Sequence, residues 1–260
     1  MCLCFNFILC LRGEILASYN KKIIVAGNQI EIYEYENDVI YGFKDKKKKS
    51  KGRQSVASVE DKEVNREKVF KRARTELRRL INANVEEDSK FLTLTFKDNV
   101  TDLDFANNEF KKFIKRLNYH FNIKVKYSCV IEFQKRGSIH YHVILYNLRG
   151  KIDLHKLSSI WSNGFIKLNK IKGVDNVGAY ICKYMTKSED SRLVGRKMYF
   201  NSRNLNKPTE IKEPEVVSAV ESSLQNQVPK YSNTFSNEYN TVFYSQYIIN
   251  SVMECQGETS

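Results

Sequence analysis

Apolar residues recur along the chain at two spacings, and the changes between them mark out the elements. Up to about residue 43, short alternating pieces (KKIIVAGNQIEIYEY, then NDVIYGF) are separated by Gly27-Asn28 and Asn37-Asp38, which predicts a small β element with turns at those pairs. Ser58 to Asn84 switches to a helical period: Val69, Ala73, Leu77, Leu80 and Ile81 share one side, behind a Ser58-x-x-Asp61 cap. From Phe91 the pattern turns compact. FLTLTF (91–96) reads as a strand, Asp102 to Phe121 as a helix with Phe110, Phe113, Ile114 and Leu117 inward, and Val130 to Tyr146 as two strands joined by a tight turn. A short helix from Asp153 to Trp161 stops at Asn163-Gly164; the strand FIKLNKI, a helix from Val174 to Lys187 and the extended piece KMYFNS follow, before a break at Pro208. This order predicts the α+β class: a central antiparallel β-sheet with flanking helices.

The pattern weakens past Pro208. Ser218 to Gln227 fits either a helix or an unstructured stretch. Tyr231, Phe235, Tyr239, Phe243 and Tyr247 recur every four residues, but the Ser, Thr and Asn between them are poor helix formers, so a small β or irregular cap is expected. The chain is therefore read in four parts: 1–57, the β element and a linker; 58–87, a helix; 88–207, the compact α+β domain; and 208–260, a tail.

Charge changes the picture of what this scaffold meets. The 260 residues, 42% hydrophobic, suffice for one fair-sized core with appendages, and they carry a formal net charge of +13. From Pro208 onward, seven acidic residues oppose Lys212 and Lys230 for a net −5, so the first 207 residues hold +18. Such an excess points to a polyanionic partner, nucleic acid before anionic membrane. Two features concentrate it: the run KDKKKKSKGR at 44–53, a basic linker, and the 58–84 helix, whose remaining faces carry Arg66, Lys68, Lys71, Arg72, Arg74, Arg78 and Arg79. Arg74, Arg78 and Arg79, with Lys71 and Lys187, are the candidate phosphate contacts. The six cysteines form no C-x-x-C pair, as in a reduced, cytoplasmic protein. The apolar start MCLCFNFILCL is too short to span a bilayer, so no membrane partner is expected.

Candidate chemistry sits on VIEFQKRGSIHYHVILY, 130–146. His140 and His142 lie two apart on a strand, so both imidazoles leave the same face, as a metal site requires. Glu132 and Gln134 share one face of the preceding strand, and a loop with an odd number of residues, Gly137 taking the left-handed position, makes that the histidine face too. A lone strand histidine is ordinarily a satisfied or exposed side chain. Two among the chain's four, in an otherwise apolar run, place a second costly polar group on a buried surface. Further on, Tyr180 and Tyr184 stand one helical turn apart on one face, with Lys183 three residues from Tyr180.

FLTLTF, then GSIHYH with Glu132 eight positions before His140, then AYICKYMTK resemble, in order, the three motifs of the HUH endonucleases that initiate rolling-circle replication. The third motif resembles the two-tyrosine branch, found in phage and plasmid replication initiators, and the similarity extends over about 88 to 207. It implies the nickase fold of that family, with Tyr180 attacking a phosphodiester of single-stranded origin DNA, leaving a free 3′-hydroxyl and a 5′-phosphotyrosine that is later rejoined. It also implies a divalent cation, Mg2+ or Mn2+, on His140, His142 and Glu132, with Gln134 as the alternative third ligand. Lys183 would stabilise the phenolate or the phosphate. No G-x-x-x-x-G-K-[ST] segment occurs, so no nucleotide cofactor is expected, and a host helicase and DNA polymerase would act as partners. The same superfamily includes relaxases and single-strand transposases, and a non-enzymatic basic DNA-binding regulator accounts for the charge alone.

Overall fold

The structure is a computed structural model describing residues 10–11, 14–15, 17–42, 59–169, 171–185 and 191–249. The lysine-rich run and Lys187 lie outside the described residues. The chain forms two compact units, one built from its two ends and one from residues 59–207.

In the first unit, β1 (Cys10–Leu11) and β2 (Glu14–Ile15) form a short ribbon, and β3 (Ala17–Ala26) and β4 (Gln29–Tyr41) a long hairpin closed at Gly27-Asn28, with Gly27 at φ +61. Asn37-Asp38 is not a turn: β4 runs through it, and the β3–β4 register slips between Tyr19 and Lys21 instead. Asn37 and Asn240 exchange side-chain and backbone hydrogen bonds of 2.7–3.0 Å, which holds this stretch extended.

The acidic C-terminal part supplies β10 (Thr209–Ile211), α5 (Pro214–Ser223), β11 (Tyr231–Ser236) and β12 (Thr241–Ile248). β10 pairs with β3 and β12 with β4, giving an antiparallel sheet in the order β10-β3-β4-β12-β11. Val217 and Leu224 pack at α5 against Ile23, Ile30 and Ile32 of that sheet.

The second unit opens with α1 (Val59–Asn82), then β5 (Lys90–Phe96), α2 (Leu103–Phe121), β6 (Tyr127–Phe133), β7 (Ile139–Leu145), α3 (Leu154–Trp161), β8 (Gly164–Asn169), α4 (Val177–Cys182) and β9 (Tyr199–Asn201). Its sheet is antiparallel throughout, ordered β8-β5-β7-β6-β9. α2 begins where Asp102 accepts the backbone N–H groups of Asp104 and Phe105, satisfying donors that a helix start leaves open. Period-2 alternation then divides the sheet between two cores. Leu92, Leu94, Ile131, Tyr141 and Val143 face α2 and α3, where Phe110, Phe113, Leu117 and Trp161 complete the first core. Phe91, Val130 and Ile144 face α1 and α4, where Leu77, Ile81, Val177 and Ile181 complete the second. β7 is the middle strand and is buried along its whole length, which is why its two histidines sit inside the protein. Among the described residues no helix is long and apolar enough to cross a membrane.

Candidate active site

The hairpin register decides which side chains meet. The β6–β7 loop, residues 134–138, is odd in number, and Gly137 adopts φ +87, a conformation costly for any residue with a Cβ. Glu132 consequently lies directly opposite His140, and Val130 opposite His142. All three polar side chains therefore project from the face that carries α1 and α4.

His142 is held at both ring nitrogens. Its Nε2 donates to Glu132 Oε2 at 2.7 Å, and its Nδ1 lies 3.2 Å from Thr93 Oγ1, which in turn accepts from Asn169 Nδ2 at 2.9 Å. The hydrogen bond from His142 holds the Glu132 carboxyl below its usual range, outweighing burial, which acts the other way. His140 differs. Burial pushes it below the ordinary imidazole range, its Nδ1 meets the Gln134 amide at 3.3 Å, and its Nε2 is buried with no hydrogen-bond partner. A buried polar atom left open at 8% residue exposure is costly, and it marks a place where a ligand would be received. Among the described residues no three His, Cys, Asp or Glu groups already converge as a metal cluster. The donor set nonetheless fits a divalent cation: a neutral imidazole with an open Nε2, a second imidazole, and an ionised carboxylate directly across the strand pair.

The tyrosines come from α4. This helix is shorter than the expected Val174–Lys187 span. It runs from Val177 to Cys182 and tightens into i→i+3 turns, Met185 N–H bonding to Cys182 O at 3.3 Å. Tyr184 stacks on His142 with ring centroids 3.9 Å apart, and its hydroxyl donates to the Tyr180 hydroxyl at 3.3 Å. That donated bond, with partial burial, pushes the Tyr184 hydroxyl up to about 12. Tyr184 therefore keeps its proton and offers it as a hydrogen bond to the oxygen of Tyr180. Phe91 lies under both rings, 5.9 and 5.8 Å from Tyr180 and Tyr184. Lys183 is exposed, its Nζ 5.7 Å from the Tyr180 ring centroid.

α4 is fixed by contacts that no local pattern displays. Asn82 of α1 accepts the Gly178 N–H at 2.7 Å and donates to Asn176, whose own side chain caps α4 by accepting from Ala179. Gly178 sits so close to α1 that a Cβ there would lie 2.2 Å from the Arg78 carbonyl oxygen. Gly178→Ala is therefore expected to push α4 off α1 and cost about 3 kcal/mol by overpacking. That corresponds to a melting point roughly 6–12 °C lower, measured by calorimetry. An unchanged melting point would mean that the tyrosine helix does not depend on this approach. Sequence reasoning missed Asn82, Thr93, Asn169 and Gly178; a glycine inside a predicted helix, about 1 kcal/mol worse than alanine there, is the one signal pointing to any of them.

The basic residues of α1 do not all stand alike. Lys71 pairs with Glu67 and Arg72 with Glu76, at 2.7 and 2.8 Å, so part of that charge is neutralised within the helix. Arg74 is exposed, whereas Arg78 and Arg79 are half-buried.

No curated protein and no solved structure matches the chain. Residues 89–189, the segment from β5 past α4 that holds the hairpin and both tyrosines, match the family model of replication-associated proteins of the ORF2 and gene-2-protein type.

Proposed function

We propose that this protein initiates rolling-circle DNA replication by nicking single-stranded origin DNA through tyrosine attack, and later rejoins the strand. One observation carries the reading: His140, His142 and Glu132 share one sheet face with Tyr180 and Tyr184, and the Tyr184 ring stacks directly on His142. The match of residues 89–189 to a replication-associated family supports the biological setting, and through it origin DNA as the partner. Host helicase and polymerase are part of the same proposal.

In this reading Tyr180 is the first nucleophile. Its oxygen accepts the Tyr184 hydroxyl, so a negative charge developing there is stabilised. The Tyr180 oxygen bonds to phosphorus as the 3′ oxygen leaves, giving a 5′-phosphotyrosine and, once protonated, a free 3′-hydroxyl. The reverse attack by a 3′-hydroxyl rejoins the strand without ATP. Lys183 supplies positive charge on the solvent side of Tyr180. A divalent cation, Mg2+ or Mn2+, would be held by His140, His142 and Glu132 and would supply Lewis-acid polarisation of the phosphate. Gln134 is better placed to orient the ring of His140 than to be a ligand, because its amide is engaged at Nδ1. Incubation with a single-stranded oligonucleotide library and Mn2+, followed by a denaturing gel, is expected to reveal a covalent protein–DNA adduct; its absence at every sequence would favour a non-enzymatic DNA-binding regulator.

Backbone contacts from α1 would make binding steeply salt-sensitive. Replacing Arg74, Arg78 and Arg79 together by Ala is expected to reduce the log–log salt slope by about 2, at about 0.7 per phosphate on a single strand. An unchanged slope, measured by anisotropy across a salt series, would make α1 an ordinary solvated helix.

A further inference from the structure

The histidine face does not end at the histidines. Across the sheet, the residue row through Glu132 and His140 continues to Thr95 and Phe165, and the row through His142 continues to Thr93 and Lys167. Phe165 and Lys167 thus lie two strands from the metal-binding candidates, about 10 Å along the sheet. β8 is the sheet's edge, and Phe165 is 67% exposed there while its neighbour Ile166 turns to the opposite core. One exposed phenylalanine needs no explanation by itself. This one also forms the wall of an open groove of about 690 Å³, whose other walls include Lys97, His155 and the hydroxyls of Ser158, Ser159 and Ser162. Among the described residues, Asp98 is the one acidic side chain lining that groove.

We propose that β8 and this groove hold the single strand flanking the scissile phosphate. Phe165 stacks beneath a base, Lys167 and Lys97 meet the backbone phosphates, and the groove takes the following nucleotide. The occupant is single-stranded DNA because an isolated aromatic face, flanking lysines and neutral hydroxyls suit unpaired bases and phosphates of any sequence. The proposal rests on the nickase reading, since that reading places the scissile phosphate beside His140.

The test measures anisotropy of a fluorescein-labelled oligothymidylate with the full chain, alongside the adduct assay with Mn2+. Phe165→Ala is expected to weaken binding about tenfold or more, and Phe165→Trp to retain it. Lys167→Ala should reduce the salt slope by about 0.7. Tyr119→Ala removes a ring that is 91% exposed on α2, against the other sheet face, and should leave binding unchanged. Adduct formation by the wild type together with equal binding by Phe165→Ala and Tyr119→Ala would overturn the β8 surface while sparing the nickase reading. Phe165-dependent binding without any adduct would support the surface and overturn the nickase.

Discussion

Tyr180→Phe is expected to lose nearly all covalent adduct on an origin oligonucleotide, at least about a hundredfold against wild type, while Tyr184→Phe keeps first cleavage. The substitution removes one oxygen and keeps the ring against Phe91, so the fold should be unchanged. The asymmetry follows from the direction of the hydrogen bond between the two hydroxyls, in which Tyr184 donates and Tyr180 accepts. Losing the donor should slow first cleavage about tenfold, the scale on which one neutral hydrogen bond acts on a developing charge. If the two tyrosines alternate, Tyr184→Phe fails at termination, because a second nucleophile must cut the regenerated origin while Tyr180 holds the 5′ end. Their side-by-side hydroxyls permit such an exchange at one phosphate. Replication by Tyr184→Phe at the wild-type level would leave a one-tyrosine nickase, and full adduct formation by Tyr180→Phe would remove Tyr180 from the reaction.

His140→Ala should abolish adduct formation and leave the melting point nearly unchanged, because the atom it removes from the site, Nε2, bonds to nothing in the protein. His142→Ala should abolish it too, but at a cost in stability of about 1–3 kcal/mol, since Glu132 and Thr93 lose a buried partner and Tyr184 loses its stacked ring. This difference separates a ligand role from a packing role: two histidines that merely packed would not both eliminate chemistry at such unequal structural cost. EDTA should reproduce the loss in wild type, with Mn2+ restoring it, and Glu132→Ala should raise the Mn2+ concentration needed. A fully active Glu132→Ala beside an inactive Gln134→Ala would exchange their roles.

Much of this arrangement was legible before any coordinates. The order of strands and helices from Phe91 to Asn201 follows from spacing alone, because alternation and helical period are written in consecutive residues. The hairpin register was legible too: a five-residue loop with a glycine at positive φ puts Glu132 on the histidine face, so three members of the candidate site follow from one local segment. Elsewhere local reading overreached. The pattern predicts about four turns of helix around the tyrosines, yet α4 spans six residues before tightening, with its start fixed by Asn176 and by Asn82 of α1. Asn37-Asp38 has turn composition but stays extended, because Asn240, some two hundred residues on, satisfies its backbone.

The sequence by itself determined which segments are strands and helices, the shared face of Glu132, His140 and His142, and the one-turn spacing of the tyrosines. Only the tertiary structure decided that β5 and β8 bring Thr93 and Asn169 to His142, that Gly178 lets α1 seat α4, and that the residues after Pro208 complete a sheet begun at Ala17. The physical reason is one of range. Periodicity encodes which way a side chain points within its own element, whereas the partner across a sheet or between two helices is selected by the packing of the whole unit, to which no neighbouring residue in the chain testifies.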